Sequence, residues 1–150
     1  MTTQRSEKFA FQDKLYDIFE QGDLESLEGV LKSLFASIPY NNFTNNKIAD
    51  YEGYYASVIY AYFASLGFDI IAEDTSNKSR VDLTLKLENK IYIFEFKVVN
   101  QISGEALAQI KAKGYHEKYQ SLRRNIYLVG IEFNKEERNV VHFEWEQLGR

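Results

Sequence analysis

An acid and an amine two residues apart, Glu95 and Lys97, lie in a run that is otherwise apolar on both sides, Ile91 to Val99. A strand apolar on both faces is central and covered on both sides. An unpaired charge there costs several kcal/mol, so the pair needs partners. The preceding run, Val81 to Leu87, alternates strictly. Val81, Leu83, Leu85 and Leu87 fall on one face, and Asp82, Thr84 and Lys86 on the other. The polar residues Glu88-Asn89-Lys90 lie between the runs. A hairpin loop of two residues (Glu88-Asn89) or four (Leu87 to Lys90) sets Asp82 directly opposite Glu95. Their Cβ atoms are then roughly 4.5–5.5 Å apart. An odd loop sets Phe96 opposite Asp82 and dissolves the cluster. Two carboxylates that close repel each other and raise a pKa unless a cation sits between them. Their oxygens suit a hard divalent ion such as Mg²⁺, and Lys97 can hold a phosphate or a water nucleophile beside it. The competing interpretation, a solvated face with a surface ion pair, sits badly with Ile91 and Ile93 on the face of Glu95 and Lys97.

The elements that must position these groups are legible from periodicity. Residues 7–21 read as a helix carrying Phe11, Leu15, Ile18 and Phe19, ended by Gly22. Asp23 is placed to cap a second helix, whose stripe runs from Leu24 to Ile38. Pro39 stops that helix, and Tyr40 to Asn46 is a polar loop. Asp50 can cap a third helix reaching Leu66, with Gly67 turning the chain into a strand, Phe68 to Glu73. Thr75 to Arg80 connects to the two central strands. Ser103 can cap the next helix, with Leu107, Ile110 and Tyr115 on its stripe and Gly114 inside it. Asn125 to Phe133 and Val140 to Gln147 are the last strands. The crossover helix predicts a parallel neighbour and hence a mixed sheet.

Asp82 followed by Glu95-Phe96-Lys97 at the end of an apolar strand resembles the signature of the PD-(D/E)XK nuclease superfamily. More narrowly, the chain is similar to the nuclease-like domain found C-terminal to AAA-ATPase-like domains in bacterial proteins of unassigned function. The similarity runs from about Asp23 onward through SIPYNNF (Ser37 to Phe43), YEGYYASVIYAYFASLGFDI (Tyr51 to Ile70), SRVDLTL (Ser79 to Leu85), IYIFEFK (Ile91 to Lys97), ALAQIKAKGY (Ala106 to Tyr115) and NIYLVGIEF (Asn125 to Phe133). Ser79 stands where the family pattern has glycine. The resemblance implies an α/β fold, a restriction-endonuclease-like αβββαβ core with a mixed central sheet, here over residues 47–150. A helical hairpin and loop over residues 1–46 precede it within a single domain. It also implies a metal-dependent nuclease. Asp82, Glu95 and the Phe96 carbonyl would hold Mg²⁺ or Mn²⁺, with Lys97 as the catalytic amine and Glu52 as an additional acid from the preceding helix. Gln109 and Tyr115 would face the site from the crossover helix. The alternative is a catalytically silent module on the same fold, contacting an AAA-ATPase-like partner or a second copy as a homodimer.

Composition narrows the classes. The 150 residues are 45% hydrophobic with 11 Tyr and 11 Phe, which argues for a packed core and against disorder. With no cysteine, disulfide frameworks and cysteine zinc sites are excluded. No apolar run is long enough for a membrane span, and the first residues lack the apolar core of a signal peptide, so a cytoplasmic location is expected. A P-loop, a G-x-S-x-G elbow and an H-E-x-x-H pair are all missing from the sequence. His116 and His142 are isolated. Net charge is −4, weak ground for non-specific nucleic-acid binding. Residues 98–124 run against that balance, with Lys111, Lys113, Lys118, Arg123 and Arg124 against Glu105 and Glu117. That segment could face a phosphate backbone, or be an ordinary solvated helix face.

Overall fold

A computed structural model describes residues 3–38, 52–76 and 80–148, excepting the side chains of residues 3–9 and 52. Pro39, the Tyr40 to Asn46 loop, the Asp50 cap and Ser79 fall outside the described residues. Helix α1 spans Thr3–Gln21 and α2 Leu24–Ala36. The chain reverses at Gly22, whose φ of 74° is open to glycine without strain. Asp23 holds the N-cap position of α2, but its carboxylate accepts the Ser26 hydroxyl at 2.7 Å and caps no backbone N–H. Helix α3, Glu52–Ala64, stops short of the expected Leu66. Among the described residues, no helix is long and apolar enough to cross a membrane.

Five strands follow: β1 Asp69–Thr75, β2 Arg80–Lys86, β3 Lys90–Val98, β4 Asn125–Asn134 and β5 Asn139–Leu148. They lie side by side in chain order. All neighbours are antiparallel except β3 and β4, which are parallel. That one parallel step needs a crossover. Helix α4, Glu105–Lys113, and a 3₁₀ helix, Tyr115–Leu122, supply it. This mixed sheet, with a helical pair ahead of it, is the restriction-endonuclease-like architecture expected.

Strand β3 is covered on both faces, as its composition requires. Tyr92, Phe94 and Phe96 join Leu15, Phe19, Leu31 and Phe63 in a core beneath the first three helices. Ile91 and Ile93 join Ile110, Tyr115, Tyr119 and Leu128 on the opposite face. The Leu87 N–H donates to the Lys90 carbonyl at 2.8 Å and closes a two-residue hairpin loop. The register pairs Leu83 with Phe94 and Thr84 with Ile93, the even-loop arrangement.

Three local expectations are corrected. Val81 packs with Ile91 and Ile93, not on the Leu83 face. The alternation breaks at Asp82, beside Glu73, whose φ is 51°. Gly114 ends α4, with φ 64°, so Tyr115 belongs to the 3₁₀ helix. Ser103 lies one residue before the N-cap, Gly104, and shares the capping of α4 with an acid from β4.

Candidate functional site

Asp82 sits where the sheet parts. The β1–β2 ladder pairs Ala72 with Leu83 and Asp74 with Val81, skipping the position between. Glu73, at that skip, holds the left-handed backbone that L-residues rarely adopt. The β2–β3 ladder ends at Leu83–Phe94, one step before Asp82 and Glu95. In place of a ladder bond, Asp82 Oδ2 accepts the Phe96 N–H at 2.7 Å. The strands separate while a carboxylate still ties them.

Glu95 is 7% exposed on β3. Lys113 Nζ lies 3.1 Å from its Oε1 and 3.2 Å from its Oε2, and donates also to the Arg80 carbonyl at 2.9 Å. Gln109, oriented with its amide nitrogen toward Glu95, donates to Oε2 at 3.1 Å. Its oxygen then accepts from Lys97 Nζ at 3.0 Å. Burial pushes the Glu95 carboxyl above its ordinary range, and the charge of Asp82 adds to the rise. Lys113 and Lys97 pull the other way without cancelling it.

Helix α4 carries Gln109 and Lys113 over Glu95 because β4 lets it come close. A Cβ on Gly130 would lie 2.3 Å from the Leu107 backbone nitrogen. Two residues on, buried Glu132 accepts the Ser103 N–H at 2.8 Å, the Ser103 hydroxyl at 2.9 Å and the Glu105 N–H at 3.1 Å. Burial pushes its carboxyl up, but the Ser103 N–H and hydroxyl, helped by the Gly104 N–H and His142, outweigh it and hold the pKa below the usual range. An acid at a helix N-terminus also complements the dipole. Glu132 thus anchors the helix, beside Lys97 in the parallel register.

The expected site residues divide in space. Glu95, Lys97 and Gln109 form one hydrogen-bonded chain, and Asp82 meets it through its field on Glu95. The Phe96 ring is in the core while its backbone stands at the parting of the strands. Glu52 opens α3, and its side chain lies outside the described residues. Tyr115 belongs to a neighbouring cluster, where its hydroxyl accepts from Lys118 Nζ at 3.3 Å. Lys113 and Glu132 escape the sequence reading, although signals existed. Gln109 and Lys113 are four apart on one helix face, and Glu132 interrupts an apolar run as Glu95 does. Three of the five basic side chains of residues 98–124 pair with acids of the fold. Lys111 pairs with Glu146 at 2.9 Å, Lys113 with Glu95 and Lys118 with Asp74 at 2.8 Å.

Among the described residues no group of three or more His, Asp or Glu side chains gathers in metal-binding geometry. The pair Asp82 and Glu95 is nonetheless chemically suited to a divalent cation. Both offer hard oxygen donors, and Glu95 has a raised proton affinity because burial and the charge of Asp82 outweigh the lysines around it.

The family model for the PD-(D/E)XK nuclease superfamily matches residues 50–143, from the start of α3 into β5. A curated relative from Azotobacter chroococcum mcd 1, described as an uncharacterized protein in the vnfD 5′ region, is 45% identical over 137 residues. The match covers 91% of this chain and 27% of that protein, so the chain spans about a quarter of the relative's length.

Proposed function

Because the chain belongs to the PD-(D/E)XK nuclease superfamily, whose nucleases generally use divalent metals, we propose that it hydrolyses phosphodiester bonds in nucleic acid with Mg²⁺ or Mn²⁺. The observation that carries this reading is the Glu95–Gln109–Lys97 chain beside Asp82 at the parting of β2 and β3. Asp82, Glu95 and the Phe96 carbonyl are the groups that would hold the metal. The ion would polarise the phosphoryl oxygens and lower the pKa of a bound water. Gln109 restrains the Lys97 ammonium by accepting from it, which keeps a positive charge aimed beside Glu95. A preorganised cation of that kind stabilises negative charge developing on phosphate. Lys113 compensates Glu95 when the metal is away. Glu52 would add an acid from α3. The relative's greater length is compatible with an AAA-ATPase-like domain as partner, the context proposed from the resemblance.

The test is cleavage of a panel of DNA and RNA substrates in Mg²⁺ and in Mn²⁺. Wild-type protein should cut at least one substrate. Asp82→Ala and Lys97→Ala should each lower the rate at least about 100-fold, the scale of a removed transition-state donor. A wild-type protein that cuts nothing, and whose melting is indifferent to either metal, would favour the silent interaction module instead.

A further inference from the structure

A nucleic-acid strand can reach such a site paired or unpaired. Asp82 also lines a cleft of about 380 Å³ between α3 and the β1–β2 edge. Its helical wall is built from small side chains, Ala56 and Ser57, with Tyr60 as the one aromatic among the described lining residues. Tyr60 is 38% exposed, unusual among large side chains in a protein whose other rings mostly pack in the core. The strand wall carries Glu73 and Arg80. Their ion pair, at 3.3 Å, leaves the two side chains 74% and 60% exposed, so it is weak and readily exchanged for another anion.

Resting on the nuclease reading, we infer that this cleft is a nucleotide subsite for an unpaired base beside the scissile phosphate. The base stacks on Tyr60, and its phosphate takes Arg80 from Glu73. Three observations favour a single strand over a duplex. The volume lies at the small end of small-molecule pockets, suited to one nucleotide. An accessible aromatic next to a cation is the pairing that single-strand binders use, since every base has a stacking face. Duplex binding needs a track of free cations, and two of the five basic side chains in residues 98–124, Lys113 and Lys118, are held by buried acids within the fold. The small residues of α3 leave the room, and the irregular backbone at Glu73 opens the lip next to Asp82.

The experiment is fluorescence anisotropy in Ca²⁺ with labelled 12-nucleotide DNA and RNA single strands and a hairpin duplex of the same sequence. Wild-type protein should bind a single strand about tenfold or more tighter than the duplex. Tyr60→Ala should weaken single-strand binding about 5- to 100-fold, the range of one lost base stack, with unchanged melting. Tyr60→Phe should restore it. Arg80→Gln should weaken binding and flatten the salt dependence by about one phosphate contact. Whichever sugar shows the Tyr60 dependence identifies the strand. Equal affinity for both forms, no binding at all, or indifference to Tyr60→Ala would overturn the subsite. The two proposals fail separately. Cleavage that needs Lys97 but ignores Tyr60 keeps the nuclease and removes the subsite. Tyr60-dependent binding without cleavage by wild type does the reverse.

Discussion

Two acid–lysine pairs sit under the same crossover segment, and their electrostatics run in opposite directions. At the outer edge of the sheet, Asp74 on β1 is 3% exposed. It accepts from Lys118 Nζ at 2.8 Å and from the Tyr119 hydroxyl, while Lys118 also donates to the Thr75 carbonyl at 2.7 Å. The Lys118 ammonium stands 5.4 Å from the ring centres of both Tyr115 and Tyr119. Burial pushes the Asp74 carboxyl up, but the hydrogen bonds from Lys118 and Tyr119 outweigh it and the pKa ends below normal. Near the sheet's centre, Glu95 has Lys113 and Gln109, yet its pKa ends above normal because burial and Asp82 win. Burial is the larger cause at Glu95, and the second carboxylate, Asp82, adds to it. The Asp74 cluster is a satisfied clamp that fastens the 3₁₀ helix to β1. The Glu95 cluster holds a buried carboxyl beside a second acid, an arrangement that an added cation would stabilise.

The largest effect should come from the glycine that seats α4, the helix carrying Gln109 and Lys113 to Glu95. Gly130→Ala places a methyl where the Leu107 backbone already stands, and it should cost about 3 kcal/mol or more in denaturant unfolding. Glu95 should lose Gln109 and Lys113 as α4 lifts. A variant as stable as wild type would show that α4 can shift freely, and the site's geometry would then not depend on this contact.

Next, Asp74→Ala should destabilise by about 2–3 kcal/mol, since it strips charged hydrogen bonds from a buried network. The sign with pH follows from the lowered carboxyl. Its stabilisation is present above the unfolded pKa and is lost as pH falls through the folded one. Wild type should therefore lose its advantage over Asp74→Ala in acid. Glu95 predicts the opposite slope. Its raised pKa means the native state holds more protons between the unfolded and folded values, so its ionisation subtracts stability as pH rises through that window. Stability curves for Asp74→Ala and Glu95→Gln with the same pH dependence relative to wild type would break the comparison.

The smallest effect is the most specific. Asp82→Asn removes the like charge facing Glu95, and the Glu95 carboxyl should titrate lower in carbon-detected NMR. An unmoved titration would mean that burial alone raises Glu95, and the two acids would then not act as a pair.

Much of this was open to inspection in the chain itself. The alternation from Leu83 to Leu87, the two-sided apolar run that follows and a short polar turn marked the hairpin, with its loop left even or odd. The structure decided for the even loop, whose register brings Asp82 and Glu95 to the step just past the Leu83–Phe94 pair. An acid and an amine inside an apolar strand marked the site, since burial makes such residues expensive without partners. Only the tertiary structure decided who those partners are. Lys113 read as one more charge on a basic helix face, and Gln109 drew attention through resemblance alone. The approach of α4 to Gly130 is a contact between elements far apart in the chain, set by the close fit of backbone on backbone, and no local pattern encodes it. The same holds for Asp74, which closes a strand end until Lys118 and Tyr119, more than forty residues later, fold over it. Periodicity sets the face that most side chains of these strands take, Val81 excepted; which charge waits on that face depends on packing across the sheet.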